Sequence, residues 1–341
     1  MHGFLSTKNL SFAGFGPENK KILKAVLAIA GHPQLAGIWS HDGSDQAFTK
    51  TFEREFGIPL PPLYKGIQEY DDFIKELDFL SIAVPPAKNL NLMTLALVNN
   101  PKVNILVQKP VAHQLHHLES CHIPDDGLKR VAVGCQLGFH YGFRIFAEAV
   151  LQTDQKIVKV EINMLKNALT QPGITRSDYK LYGGGIWMDL GPHVLDMLER
   201  LGFWSIVKVI SGGTEIEPHH LHKPEVEQKA EMILETKDGV IVDICLSNIE
   251  EYLTKPQNNL LVYDRNGFIN DYRHAVHWLD FSEAKWVVDG REGPRSVPRE
   301  LMMVDFFSGA KRCTKISSAY AHQQVIDAGY RSAKNCCQII L

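Results

Sequence analysis

The apolar residues of this chain change their period near residue 150, and that change constrains the fold more than any other feature. Before it, short apolar runs alternate with helical spacing. Residues 10–13 form the first run, and Ile22, Val26 and Ile29 then recur at helical intervals. Residues 35–39 form a second run, and Phe48, Phe52 and Phe56 mark another helix. Further runs follow at 79–84, 103–107 and 131–135. Strands alternating with helices specify βαβ units and a parallel sheet. After residue 150 the period becomes two. Val158, Val160, Ile162 and Met164 alternate with Lys159, Glu161 and Asn163; the runs Ala230, Met232, Leu234 and Val240, Val242, Ile244, Leu246 repeat the pattern. Asp238-Gly239 separates those last two runs and Asn266-Gly267 follows the run 260–263. Both dipeptides accept the positive φ of tight hairpin turns. An antiparallel sheet with one buried face is expected here.

A chain of 341 residues exceeds the roughly 250–300 at which a single core stops growing. Two domains are therefore expected: an α/β domain with a mostly parallel sheet over 1–137, and an α+β domain with a large, mostly antiparallel open sheet over 138–341. Hydrophobic residues at 45% and charged residues at 22% fit a globular chain, not a disordered one. The formal charge of −3 lacks the basic surplus that a nucleic acid or anionic membrane partner needs. No apolar run spans a bilayer, and the first residues lack the pattern of a signal peptide, so a cytoplasmic protein is expected. Six scattered cysteines, with no CxxC pair, point to reduced thiols rather than a disulfide framework or a zinc site.

Gly14-Phe15-Gly16 follows the first strand and opens the first helix, where a dinucleotide fingerprint belongs. The first glycine permits the tight turn. The second admits backbone close to a pyrophosphate, and the helix N-terminus supplies N–H donors. The third position of the fingerprint is Asn19, so the match is partial, and an ordinary βα turn is the alternative. The end of the second strand, Trp39-Ser40-His41-Asp42, should choose the cofactor. Ser40 stands where an acid would bind the adenosine ribose of NAD; Ser40 with His41 suits the 2′-phosphate of NADP, while Asp42 is an alternative acid. NAD and NADP both stay open. Pro85-Pro86 and Gln108-Lys109-Pro110 end two further strands, at the edge that lines the ligand crevice of a parallel sheet. The prolines serve equally as a plain turn. Lys109 can donate to ribose hydroxyls or polarise a substrate oxygen, a surface lysine being the ordinary alternative.

The richest constellation is Tyr182-Gly183-Gly184-Gly185, then Asp189, Gly191-Pro192-His193 and Asp196. Three glycines let backbone approach a ligand closely. Asp189 and His193, four apart, share one face of a helix, and an imidazole beside a carboxylate is equipped for general acid–base work. Pro192 demands a kink or a helix start nearby. His219, His220 and His222 lie beside prolines without ligand spacing, and no metal is expected.

Together these residues resemble the glucose–fructose oxidoreductase / inositol dehydrogenase / rhizopine catabolism (Gfo/Idh/MocA) family. The likeness runs through the GxG turn, Phe56-Gly57-Ile58-Pro59, the double proline, Gln108-Lys109-Pro110, the GGG-x-x-x-D-x-G-x-H-x-x-D run and the helix 328–333. It implies an N-terminal Rossmann domain and an NAD(P)-dependent dehydrogenase or reductase. The reaction moves a hydride between the nicotinamide and a hydroxyl or keto carbon of a sugar, inositol or related polyol. Lys109 matches the family's lysine at the nicotinamide ribose and substrate, Asp189 its substrate-binding acid, and His193 its general acid/base. Gly14, Phe15, Gly16, Ser40, His41, Pro85, Gln108 and Lys109 are the expected cofactor contacts. A homodimer or homotetramer is expected, formed through the open face of the C-terminal sheet. The sequence departs from the family at Gln108, usually Glu; at Asn19; at Asn89, where His is common; and near 134–139, where an expected arginine is absent and Leu137-Gly138 stand. A non-catalytic regulator of the same fold and an NAD-dependent glycosidase are the alternative functions.

Overall fold

The computed structural model describes residues 5–41, 49–123, 125–165, 180, 183–216, 226–248, 258–264, 277–280, 286–294 and 296–341. Asp42, Phe48, Tyr182, His219, His220, His222 and Asn266-Gly267 lie outside the described residues. The chain divides into two compact units. The first comprises Met1–Ala112, His116–Cys135 and Arg299–Ala319; the second comprises His113–Leu115, Gln136–Pro298 and Tyr320–Leu341.

The first unit is a Rossmann domain. Its strands are β1 (Asn9–Ala13), β2 (Gln34–Ser40), β3 (Leu63–Lys65), β4 (Phe79–Ile82), β5 (Asn104–Gln108) and β6 (Val131–Gly134), all parallel, in the order β6-β5-β4-β1-β2-β3. Thr314–Lys315 adds a two-residue antiparallel edge to β6. Every residue of β4 and β6 is buried, as a sheet covered on both faces requires. Helix α1 (Pro17–Leu27) lays Ile22, Leu23 and Val26 into the core, α2 (Thr49–Phe56) contributes Phe52, and α3 (Tyr70–Ile74) contributes Tyr70 and Phe73. Helix α4 (Pro86–Asn99) buries Leu90, Met93 and Leu97. The strand order reverses between β1 and β4, so the crevice at their C-terminal ends is the place where such sheets take ligands.

The second unit is built on a nine-stranded sheet. Helix α5 (Tyr141–Leu151) precedes β7 (Ile157–Leu165), and α6 (Ile186–Arg200) precedes β8 (Ile206–Glu215), β9 (Lys229–Thr236), β10 (Ile241–Ser247), β11 (Asn259–Asp264), β12 (His277–Asp280), β13 (Trp286–Val288) and β14 (Arg291–Gly293). Helix α7 (Ile316–Asn335) leads to β15 (Ile339–Ile340), which closes the far edge against β8. The order is β14-β13-β12-β11-β7-β10-β9-β8-β15, and every pair is antiparallel except β7 with β10. The period of two is visible in the packing. Val160, Ile162, Ala230, Met232, Leu234, Val242, Ile244 and Leu246 form one core with Trp187, Val194, Leu195 and Leu198 of α6 and Ile326 of α7. Asp238-Gly239 turns β9 into β10, with Gly239 at φ +77°. Among the described residues no helix is long and apolar enough to cross a membrane, and no group of three or more His, Cys, Asp or Glu could hold a metal ion.

Candidate active site

In the Rossmann unit the expected cofactor residues collect at the C-terminal ends of β1, β2, β4 and β5. Gly14 leaves β1 at φ +73°, and a Cβ there would lie 2.8 Å from Val84 Cγ1 and 2.9 Å from the Ala83 carbonyl oxygen. The turn is thus pressed against the end of β4 and excludes any side chain at this position. Gly16 is different. It caps α1, and a Cβ on it would meet no described residue within 4 Å. Phe15 is buried among Phe12, Phe52 and Phe56, so what it offers a ligand is main chain.

Asn19, the departure from the fingerprint, is fully buried and braces the turn. Its Nδ2 donates to the carbonyls of Gly14 (2.5 Å) and Ala13 (3.2 Å), and its Oδ1 accepts the Ser81 hydroxyl at 2.7 Å. A third glycine would let α1 approach the strands closely. Here an amide spans that gap and ties α1 to both β1 and β4.

Glu18 stands in the first turn of α1. Its carboxylate pairs with Lys21 (2.9 Å) and with Arg299 (3.2 Å), which the returning segment Arg299–Ala319 brings to this unit. Burial opposes ionisation, yet Lys21, Arg299 and Lys109 together hold the carboxyl at about 2. This sign has a consequence for acid stability. The stabilisation is complete above the unfolded value, about 4.3, and is lost as pH falls through that value toward about 2. The side chain is about 30% exposed, so solvent screening leaves on the order of 1 kcal/mol. Glu18→Gln should therefore flatten the acid limb of stability between about pH 4.5 and pH 2, read by urea titrations across that range. Parallel limbs for the two proteins would remove the cation cluster as its cause.

Ser40 is buried at the end of β2, its carbonyl accepting the Gly66 N–H at 3.0 Å, and His41 beyond it is exposed. Pro85 caps α4. Lys109 is half-buried and joined to Pro110 by a cis peptide bond. Asn89, the second departure, donates from Nδ2 to the carbonyls of Gln108 (3.3 Å) and Pro110 (3.1 Å). One amide thus holds the main chain on both sides of Lys109. The Gln108 side chain lies against Gly134, where a Cβ would sit 2.6 Å from its Nε2 and Oε1. Among the described residues, Gln108 Nε2 and Asn89 Oδ1 are buried without hydrogen-bond partners. A free donor and a free acceptor at the strand ends, with the open side of Gly16, fit a dinucleotide.

In the second unit Asp189 and His193 both lie on α6, His193 buried and Asp189 partly so. The helix runs unbroken from Ile186 to Arg200 through Pro192. Asp196 is buried and takes Arg200 Nε at 2.9 Å. Arg200 also lies over the Phe139 ring, and a Cβ on Gly138 would fall 2.2 Å from its Nε. A guanidinium therefore does fill the space at 138–139, but it reaches there from α6.

The three glycines correct the sequence reading. Their close approaches are to the chain itself. A Cβ on Gly183 would lie 1.7 Å from the His113 carbonyl oxygen, on Gly184 2.1 Å from Tyr330 Oη, and on Gly185 1.9 Å from the Glu227 carbonyl oxygen. Glu227, which no motif marked, closes the helix start. Its Oε2 accepts the Gly185 N–H (2.9 Å), its Oε1 accepts the Trp187 N–H (3.0 Å) and the Tyr330 hydroxyl (2.7 Å), and its carbonyl accepts the Ile186 N–H (3.1 Å). Burial raises the Glu227 carboxyl above the usual range, opposed by the Tyr330 and amide hydrogen bonds. Burial likewise pushes the Tyr330 phenol well up.

These units define a class of protein: a Rossmann domain with a GxG turn at its switch point, joined to an α+β domain with a large open sheet. Residues 156–269 match the model of the Gfo/Idh/MocA C-terminal domain. Solved structures agree on the fold. A myo-inositol dehydrogenase from Corynebacterium glutamicum has a TM-score of 0.74 at 15% identity, covering 98% of this chain and 99% of its own. An aldose-aldose oxidoreductase from Caulobacter crescentus, complexed with glycerol, has a TM-score of 0.75 at 17% identity, covering 98% and 100%. The WlbA dehydrogenase from Bordetella pertussis, in complex with NADH and UDP-GlcNAcA, has a TM-score of 0.70 at 17% identity, covering 98% and 99%. No curated protein matches the chain in sequence.

Proposed function

We propose that the chain is an NAD(P)-dependent oxidoreductase that interconverts a hydroxyl and a keto carbon of a sugar, inositol or related polyol. The observation that carries this reading is the GxG turn at the β1–β4 switch point, with Gly14 pressed on β4 and Gly16 open. Gly14, Gly16 and the N–H groups opening α1 hold the pyrophosphate; Ser40 and His41 face the adenosine ribose; Pro85 and Gln108 face the nicotinamide end. When bound, the nicotinamide supplies the hydride carrier. His193 takes the hydroxyl proton in oxidation and returns it in reduction, Asp189 orients the substrate or the imidazole, and Lys109 steadies the developing negative oxygen. The solved relatives named above act on, or are crystallised with, polyols and nucleotide sugars, which supports the substrate class. The face of the nine-stranded sheet away from its helices is the proposed homo-oligomer contact, to be read by light scattering at micromolar concentration.

Calorimetry with NAD and NADP in both redox states is the first test, followed by a polyol and nucleotide-sugar panel read by nicotinamide absorbance. Wild-type protein that binds neither dinucleotide would sink the proposal. Gly16→Val sharpens it. Because a Cβ there meets no described residue within 4 Å, the variant should fold with an unchanged Tm and lose dinucleotide binding at least about tenfold, since the side chain would occupy the pyrophosphate's approach. Unchanged affinity would place the dinucleotide elsewhere.

A further inference from the structure

The start of α6 is held in an unusual way. Gly185 has no side chain with which to cap the helix, and among the described residues no local side chain does so. The acceptors come instead from Glu227, 42 residues further on. Its two carboxylate oxygens and its carbonyl take three successive N–H groups, those of Gly185, Ile186 and Trp187. Tyr330, from α7, fixes the carboxylate by donating to Oε1. Helix starts favour anions, because their first N–H groups are unpaired and the helix dipole is positive there. A capping side chain next to the helix start usually supplies the acceptor. Here the distant Glu227 supplies it, in a space that the absence of side chains at Gly184 and Gly185 opens.

We infer that Glu227, locked by Tyr330, is the positioning residue for Asp189 and His193. The inference rests on the proton-transfer role proposed above. The connection is short. Glu227 holds the Gly185 N–H, the Gly185 carbonyl accepts the Asp189 N–H at 3.0 Å, and His193 follows one turn later on the same face. A carboxylate fixed by two peptide amides and one phenol has a single orientation, and it sets both the rotation and the depth of the first turn. Stability is one reason to keep such a group, since its loss would leave buried N–H and O–H donors unpaired. Placement of a reacting group is another, because a misplacement of about 1 Å from a distant mutation can cost on the order of 100-fold in rate.

Glu227→Gln keeps the size but puts an NH2 against N–H donors. It should lower kcat by about 10- to 100-fold while leaving dinucleotide affinity unchanged, because the proposed dinucleotide contacts all belong to the other unit. Amide hydrogen exchange in a peptide covering 183–190 should accelerate by at least about tenfold, with peptides from the C-terminal half of α6 unchanged. Tyr330→Phe removes the lock but leaves both amide bonds, so it should show a smaller version of both effects and still reports if Glu227→Gln does not fold. In the double variant Tyr330→Phe should add little. Wild-type exchange and wild-type kcat in both single variants would overturn the inference. So would exchange that rises uniformly along the chain with a matching fall in dinucleotide affinity, which marks general damage. If the wild type proves to have no dehydrogenase activity, the proposed function fails. The exchange pattern then still decides whether Glu227 fixes the helix start.

Discussion

His193→Ala is expected to lower kcat by about 100- to 10,000-fold, the usual loss when a group that moves a proton in the rate-determining step is removed. The expectation comes from placement on α6 and from the proton-transfer role proposed above. His193 is buried, it shares a helix face with Asp189, and the turn before it is anchored by Glu227 rather than left to fray. Dinucleotide affinity should stay within about twofold, since the GxG turn, Ser40 and Gln108 lie in the Rossmann unit and His193 does not. The measurement is steady-state kinetics on an identified polyol, alongside calorimetry of the cofactor. An interaction made in the transition state alone lowers kcat and kcat/KM together, whereas a ground-state contact raises KM with kcat kept. Retained wild-type turnover would remove the acid–base assignment and favour the non-catalytic reading.

Much of this architecture is written in local pattern. The change from βα alternation to period two separates the two kinds of sheet, and Asp238-Gly239 marks its hairpin by chemistry alone. The GxG turn is legible because its residues lie within one turn of each other. What escapes is long-range. Glu227 lies 42 residues from the amide it serves, and Ser81 is 62 residues from Asn19, so no window of sequence shows either pair. Arg299 reaches Glu18 through a segment whose one strand, Thr314–Lys315, is too short to carry any period. Asn19 illustrates the difference sharply. In the sequence it is a failed third glycine; in the structure it is a brace whose meaning depends on two strands it does not adjoin. The glycine run shows the converse. Its composition announces close approach, but the partner in that approach is a matter of tertiary packing.

Gly183→Ala is expected to be the most damaging glycine-to-alanine change among the described residues. Two terms combine. At φ +80° an L residue pays about 1–2 kcal/mol relative to glycine. The added Cβ would also stand 1.7 Å from the His113 carbonyl oxygen and 2.6 Å from its carbonyl carbon. Those atoms are backbone and cannot swing aside as a side chain end would. Relief requires the 113 segment or the start of α6 to move, and a total above about 4 kcal/mol follows, within the range reserved for severe core lesions. Set against a typical stability of about 5–15 kcal/mol, this leaves a protein that is marginally folded or unfolded. Gly290→Ala isolates the conformational part. Gly290 lies in the same unit at φ +79°, but a Cβ there meets nothing within 4 Å, so its cost should be about 1 kcal/mol, the conformational term alone. Urea titrations of both variants give the comparison. If the two cost the same, the glycine at 183 is there for its backbone angle, and the close packing of His113 on the turn before α6 is not a determinant of this fold.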